Sequence, residues 1–397
     1  MLNRILTAAA ILTATTLSAA DWPNFLGPNR DSISTETGLN KNWNAQPPRE
    51  LWRVPMSDDG YAGPSVANGK VFIINHAGDK DIVRALDLKT GKDIWTYTYA
   101  DKSKPNYGFA RATPTVENGK VYTVSRFGVV NCLDEKTGKP IWTKDVVKES
   151  KGEVPRWEMA WSPFIDGDKI IVQPGGSGAT VAALNKNTGA TLWKGGGSDA
   201  PGYGTAVIAT LAGKKQYLVF TAKHLIGVDA ADGKLLWKVA WETKYDVNAA
   251  TPLVVGPNKV FISSNYARGC AMVTVTGNNA SIAWENKELQ CHFNSPILFG
   301  NHIYGISNEL ACLDPQTGKA LWKQPGFEKG GLVIADGVII AMDGKAGDVV
   351  MAEASPRAYR ELGRIKPLGG QSWTAPIIAD GKLIIRNKNT LACLALK

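Results

Sequence analysis

Histidine is scarce in this chain, with four among 397 residues. His76, His224, His292 and His302 lack the spacing that gathers ligands around a metal ion. The five cysteines form no adjacent pair and no Cys-x-x-Cys, which excludes a redox dithiol motif and a Cys-x-x-Cys-His haem attachment. There is no Gly-x-Ser-x-Gly, so the strained nucleophile turn of α/β-hydrolases is excluded. Gly175-Gly176-Ser177-Gly178 and Gly195-Gly196-Gly197 do not open a helix, and neither reads as a phosphate cradle. No segment keeps a 3.6-residue apolar period, so helices should be few. The net charge of +9 comes without a Lys/Arg block; both signs are scattered, and nucleic acid is not an expected partner.

The one long apolar run is at the start. Arg4 gives a positive flank, residues 5–17 are apolar or small, and Ser18-Ala19-Ala20 offers a small-residue cleavage pattern before Asp21. This reads as a Sec-type signal peptide over residues 1–20, and the run is shorter than the roughly 20 residues of a membrane span. No cysteine lies near the cut, so a lipid anchor is not expected, and no later segment is apolar enough to span a membrane. The expected location is the periplasm or the exterior of a bacterium. An odd number of cysteines leaves at least one thiol unpaired or bonded to another chain. Cys132, Cys312 and Cys393 fall at like places in a repeat and read as small buried hydrophobes. Cys270 and Cys291 flank a degenerate copy, where a disulfide between them is possible.

That repeat dominates the rest of the chain. Ala85-Leu-Asp-Leu-Lys-Thr-Gly-Lys-Asp-Ile-Trp95 returns as Cys132 to Trp142, Ala183 to Trp193, Gly227 to Trp237 and Cys312 to Trp322. Val275 to Trp284 is a worn copy, Trp52 matches the end of the phrase alone, and Ala354 to Leu362 lacks the Trp. The physics is that of a hairpin. A strand ends at Asp or Asn, whose side chain caps the turn, Gly takes positive φ, and a second strand opens with an aliphatic-Trp pair. A second phrase pairs a Ser/Thr-Pro step with a short strand, an Asn-Gly-type turn and another strand. It starts near Gly63, Thr113, Ser162, Thr205, Thr251, Ser295, Gly331 and Ala375.

Two hairpins per unit and eight units at a spacing of roughly 40–50 residues predict an all-β, eight-bladed β-propeller of four-stranded antiparallel blades. The chain opens on a lone last strand near Trp52 and ends on the first strands of a unit, so the eighth blade should be closed by the N-terminal strand. Residues 49–397 are expected to form the propeller, and residues 21–48, which do not repeat, to lie on its surface.

The Asp-x-x-Thr-Gly-x-x-Ile/Leu-Trp phrase resembles the repeat of pyrroloquinoline-quinone (PQQ) propellers, found in quinoprotein alcohol dehydrogenases and in the outer-membrane assembly factor BamB. The resemblance covers residues 51–397. The opening Asp21-Trp-Pro-Asn-Phe-Leu-Gly-Pro-Asn-Arg30 is similar to that of exported bacterial PQQ-like proteins. The exported BamB-like branch implies a non-catalytic binding or scaffold protein of the cell envelope, acting on an envelope protein or a glycan, with no cofactor. The alternative is a PQQ- and calcium-dependent alcohol or sugar dehydrogenase. Such enzymes use an adjacent Cys-Cys disulfide, which this chain lacks.

Any site should lie where each blade begins, around one mouth of the central channel. The candidates are Tyr61, Arg111, Trp157, Glu158, Trp161, Tyr203, Tyr245, Asp246, Asn248, His292, Asn294 and Trp373, with Tyr107, Phe109 and Phe293 beside them. Aromatic rings with a few amides suit a flat polar ligand or a sugar ring. Glu158, Asp246 and Asn248 offer oxygen ligands for Ca²⁺. The same aromatics could equally plug the channel and pack the blades. Arg111 is hardest to explain by packing, since a buried guanidinium needs an anionic partner.

Overall fold

The computed structural model describes residues 20–105 and 107–397. The expected signal peptide therefore lies, apart from Ala20, outside the described residues. Eight antiparallel sheets form an eight-bladed propeller. The blades span residues 65–100, 115–145, 164–195, 207–240, 253–286, 297–325 and 332–365, and the eighth joins 377–395 to the strand Glu50–Pro55. In that last blade Trp52 pairs with Cys393, which closes the ring as expected. The described residues hold one short helix, Val146–Ser150, and no helix long and apolar enough to cross a membrane.

The repeated phrase does its work at the blade interfaces. Asp87 Oδ1 accepts hydrogen bonds from the Lys89 and Thr90 amides, and Gly91 sits at φ +70°. That glycine is the seat for the Trp of the preceding blade. A Cβ at Gly91 would stand 2.8 Å from the Trp52 ring, and one at Gly138 would stand 2.5 Å from the Trp95 ring. Gly189 with Trp142, Gly233 with Trp193 and Gly318 with Trp284 repeat the contact. Indole N–H groups donate across the same seams, from Trp52 to Leu88 O, Trp95 to Glu135 O and Trp142 to Lys186 O. Cys132, Cys312 and Cys393 sit opposite Trp142, Trp322 and Trp52 on the neighbouring strand, where a small apolar side chain is needed. All five cysteines are buried thiols, Cys270 and Cys291 included.

The second phrase links blades near the bore. The Thr113 amide donates to Ser162 Oγ, the Ser162 amide to Thr205 Oγ1, and the Thr251 amide to Ser295 Oγ, each within 3.1 Å. The Ser/Thr of one blade thus satisfies the backbone of its neighbour.

Residues 21–48, expected on the propeller surface, divide in two: 37–48 are largely exposed apart from Leu39 and Trp43, whereas 22–34 enter the bore. Trp22 pairs with Val66 on the innermost strand of blade 1, and Val116 of blade 2 donates to Pro23 O. Arg30 donates to Ile165 O of blade 3, and Ile33–Ser34 adds a parallel fifth strand to Ile334 and Ala335, inside the bore. Farther on, Trp43 is buried over Gly363, the position that carries Trp in the other blades. The blade that lost its own Trp is filled by one from this segment. A stretch with two tryptophans and no repeat finds its apolar burial only in places the repeats leave vacant.

Candidate functional site

In an antiparallel blade, the connector entering the first strand and the loop between the second and third strands emerge on the same face. These segments surround a cavity of about 520 Å³ at the mouth of the bore. Its wall is a continuous arc of eight rings. Tyr61 stacks on Trp373 with centroids 5.0 Å apart, Trp373 meets Phe293 at 5.1 Å, and Phe293 meets His292 at 4.6 Å. The arc continues through Tyr266, Tyr245 and Trp157 to Tyr203, in steps of 5.0–6.2 Å. Cations lie over three of these rings: Arg156 over Trp157, Lys244 over Tyr245 and Lys329 over Trp373.

The polar groups among these rings are largely engaged with one another. Tyr61 OH accepts from Gln371, and Tyr203 OH accepts from the Trp157 amide. Burial pushes both phenols up to about 12. His292 Nε2 meets Tyr266 OH at 3.0 Å, while its buried Nδ1 has no partner. Burial, aided by the Lys329 charge, lowers the His292 pKa to about 4, so the ring is neutral at pH 7. Asn294 donates to Lys329 O and Trp373 O, tying blades 6, 7 and 8 together beneath the arc.

Arg111 has an internal anionic partner. Its Nη1 lies 2.5 Å from Glu158 Oε2, and its Nη2 donates to Tyr107 O. Glu158 Oε1 accepts from Arg126 at 3.1 Å, and Arg126 makes a two-pronged pair with Asp101, both contacts 2.6 Å. The chain Asp101–Arg126–Glu158–Arg111 is a charge-balanced latch between the first three blades. Next to it, donor atoms of His76, Asp81 and Asp101 lie within 4.8 Å of one another, a grouping that could hold a metal ion. Both Asp101 oxygens are already bonded to Arg126, however. Both His76 nitrogens are engaged too, Nδ1 with Asp81 and Nε2 with Gly78 O. The arginine is the cation of this cluster.

Of the twelve candidate site residues, Tyr61, Arg111, Trp157, Tyr203, Tyr245, His292, Asn294 and Trp373 line the cavity, and four do not. Trp161 is 0% exposed, packs in the core between blades 2 and 3, and gives its N–H to Met159 Sδ. Asn248 is 0% exposed and saturated: its amide donates to Thr221 O, Ala222 O and Trp241 O, and its oxygen accepts from Ser264. Asp246 is exposed and off the wall, and Glu158 is held by two arginines. The residues considered for Ca²⁺ are therefore not gathered into an oxygen cage, and the donor set does not fit that ion. Of the neighbours, Tyr107 and Phe293 line the cavity, while Phe109 stacks beneath His76.

Sequence reasoning missed Tyr266, Lys329, Trp22, Phe25 and Ser32, which also line the cavity. Tyr266 belongs to the turn between the second and third strands of blade 5 and sits at φ +59°. Counting those loops with the connectors would have found it. Trp22, Phe25 and Ser32 come from the segment placed on the surface. Phe25 and Ser32 also line a second cavity of about 320 Å³, against the innermost strands of blades 3 to 6.

Fold and repeat define a PQQ-like eight-bladed propeller. The model of the family described as outer membrane protein assembly factor BamB matches residues 32–106 and 79–324, and the chain belongs to that family. It is 23% identical over 325 residues to BamB of Moranella endobia (strain PCIT), an alignment covering 75% of this chain and 67% of that one. It is 26% identical over 242 residues to a polyvinylalcohol dehydrogenase of a Pseudomonas species, covering 57% of this chain but only 30% of the dehydrogenase. In fold it resembles BamB from Moraxella catarrhalis, with a TM-score of 0.63, 16% identity, and coverage of 88% of this chain and 98% of that one. Quinohemoprotein alcohol dehydrogenase from Comamonas testosteroni gives a TM-score of 0.52 at 14% identity, over 95% of this chain and 80% of that one.

Proposed function

We propose that this protein is a non-catalytic binding protein of the cell envelope, which seats an apolar or ring-bearing part of a partner protein or glycan in the mouth cavity. The observation that carries the reading is the contrast between rings and charges. Eight rings form the wall, while Arg111, Glu158, Arg126 and Asp101 neutralise one another. Such a surface favours burial of apolar area and aromatic contact over acid–base chemistry. Membership of a family described as an assembly factor supports the same reading.

The alternative, a PQQ- and calcium-dependent dehydrogenase, draws support from the likeness to polyvinylalcohol dehydrogenase. Against it stands the scattered set Glu158, Asp246 and Asn248. A spectral titration with PQQ and Ca²⁺, combined with a dye-linked alcohol oxidation assay, tests the choice. We expect neither saturable binding nor turnover. Turnover that Trp373→Ala abolishes would overturn the non-catalytic reading.

A further inference from the structure

The floor of the mouth cavity belongs only in part to the repeats. Trp22, Phe25 and Ser32 close it from below, and all three come from the N-terminal segment. Blades 1, 2, 3 and 7 anchor that segment. The Trp22 amide and carbonyl both bond to Val66, the Val116 amide donates to Pro23 O, and the Arg30 guanidinium lies 4.3 Å over the Phe164 ring. Ile33–Ser34 pairs with blade 7. Between these anchors the chain folds back on itself. Gly27 takes φ +80°, and a Cβ there would stand 2.9 Å from three atoms of the Trp22 ring. The Ser32 amide donates to Leu26 O, which closes the loop. Along the innermost strands of blades 3 to 6 a cavity of about 320 Å³ remains beside the segment, and Phe25 and Ser32, together with Thr205 of blade 4, line both it and the mouth and stand between them.

We propose that Phe25, backed by the buried Trp22, is a ligand-contacting residue that sets the depth of the site, so that the bore is blind only while the N-terminal segment is docked. The proposal rests on the reading of the mouth as a binding site. A ring entering past Tyr61, Trp373 and Tyr245 lands on Phe25, which rests over the buried Trp22, and loses water on both sides and below. With the partition gone, the two cavities join into one open bore, and a ring has wall but no floor. The ligand class that follows is a single ring or apolar side chain inserted end-on. A polymer threaded through the channel is excluded, because the segment crosses its path.

The test uses 1-anilinonaphthalene-8-sulfonate, an aromatic apolar probe with one anionic group, titrated by fluorescence into the full chain. One equivalent should bind. Trp373→Ala, in the wall, and Phe25→Ala, in the floor, should each weaken it by about tenfold or more, as expected when an aromatic contact is lost from a buried site. Phe25→Leu, which keeps apolar bulk but no ring, guards against a folding defect and should weaken binding by about threefold. Gly27→Ala removes no lining atom but strains the loop. It should both weaken the probe and speed proteolytic cleavage within residues 21–36, and bound probe should slow that cleavage in the parent chain. If Trp373→Ala weakens the probe while the Phe25 and Gly27 variants bind within about twofold of the parent, a change too small for a lost aromatic contact, the floor is no part of the site and the mouth reading stands. Failure of the parent chain to bind saturably overturns both.

Discussion

The two faces of the propeller are held by different kinds of contact. On the turn face, one device recurs around the ring: a Trp of one blade lies on the turn glycine of the next and hydrogen-bonds its backbone, as Trp95 does with Gly138 and Glu135. Each contact joins sequence neighbours and spends its residues on packing. On the mouth face, apart from the Ser/Thr bridges that recur at the entry to the blades, contacts are made once. Arg126 reaches both Asp101 and Glu158, and Asn294 reaches both Lys329 and Trp373. The difference teaches where to look for function in a repeat protein: a repeated residue is bound by the needs of every interface, and only an unrepeated one is free to take on a ligand.

The largest effect that could break this comparison is on the turn face. Trp95→Ala should cost about 3–5 kcal/mol of unfolding free energy, read from the denaturant midpoint, and leave the probe affinity of the remaining folded protein intact. A cost below about 1 kcal/mol, the size of a surface change, would mean that the repeated Trp is not what holds the blades. Arg126→Met tests the mouth latch. It leaves Asp101 and Glu158 buried without their shared cation and should cost about 3 kcal/mol. Replacing Asp101 by Asn as well should recover part of that loss.

A smaller effect follows from His292. The unfolded imidazole takes up its proton near 6.5 and the folded one near 4. Over that interval the unfolded chain binds more protons, so stability falls as the pH is lowered through it, by on the order of 2 kcal/mol. His292→Phe should flatten that part of the pH profile. The smallest stability effect belongs to the rim. Trp373→Ala, half-buried on the wall, should shift the midpoint by no more than ~1 kcal/mol while abolishing most probe binding. A large stability loss there would mean that the arc is a plug that packs the blades, and would blur the contrast between the faces.

Much of the ring was legible in the residues. The strand ending at Asp, the turn glycine at positive φ and the following Trp are a local pattern, and each copy needs only its neighbour to complete it. Eight of the twelve site candidates reached the cavity because the connectors into the innermost strands must converge on the bore. Trp161 and Asn248 failed for a local reason: side chains alternate in direction along an extended connector, and those two point into the blade seams. Tyr266 was missed because its loop is the other element on that face. Arg111 was correctly singled out as needing an anion, but nothing in its neighbourhood named Glu158, 47 residues away.

The sequence by itself determined the number of blades, their order, and the closure of the last by residues 50–55, because these depend on short-range turn chemistry repeated at a fixed spacing. The tertiary structure alone decided where residues 21–48 go, which Trp fills the seventh blade, and that eight rings from six connectors and one loop form one arc. Those outcomes depend on what space the closed ring leaves, and a ring's interior exists only after all its blades have met.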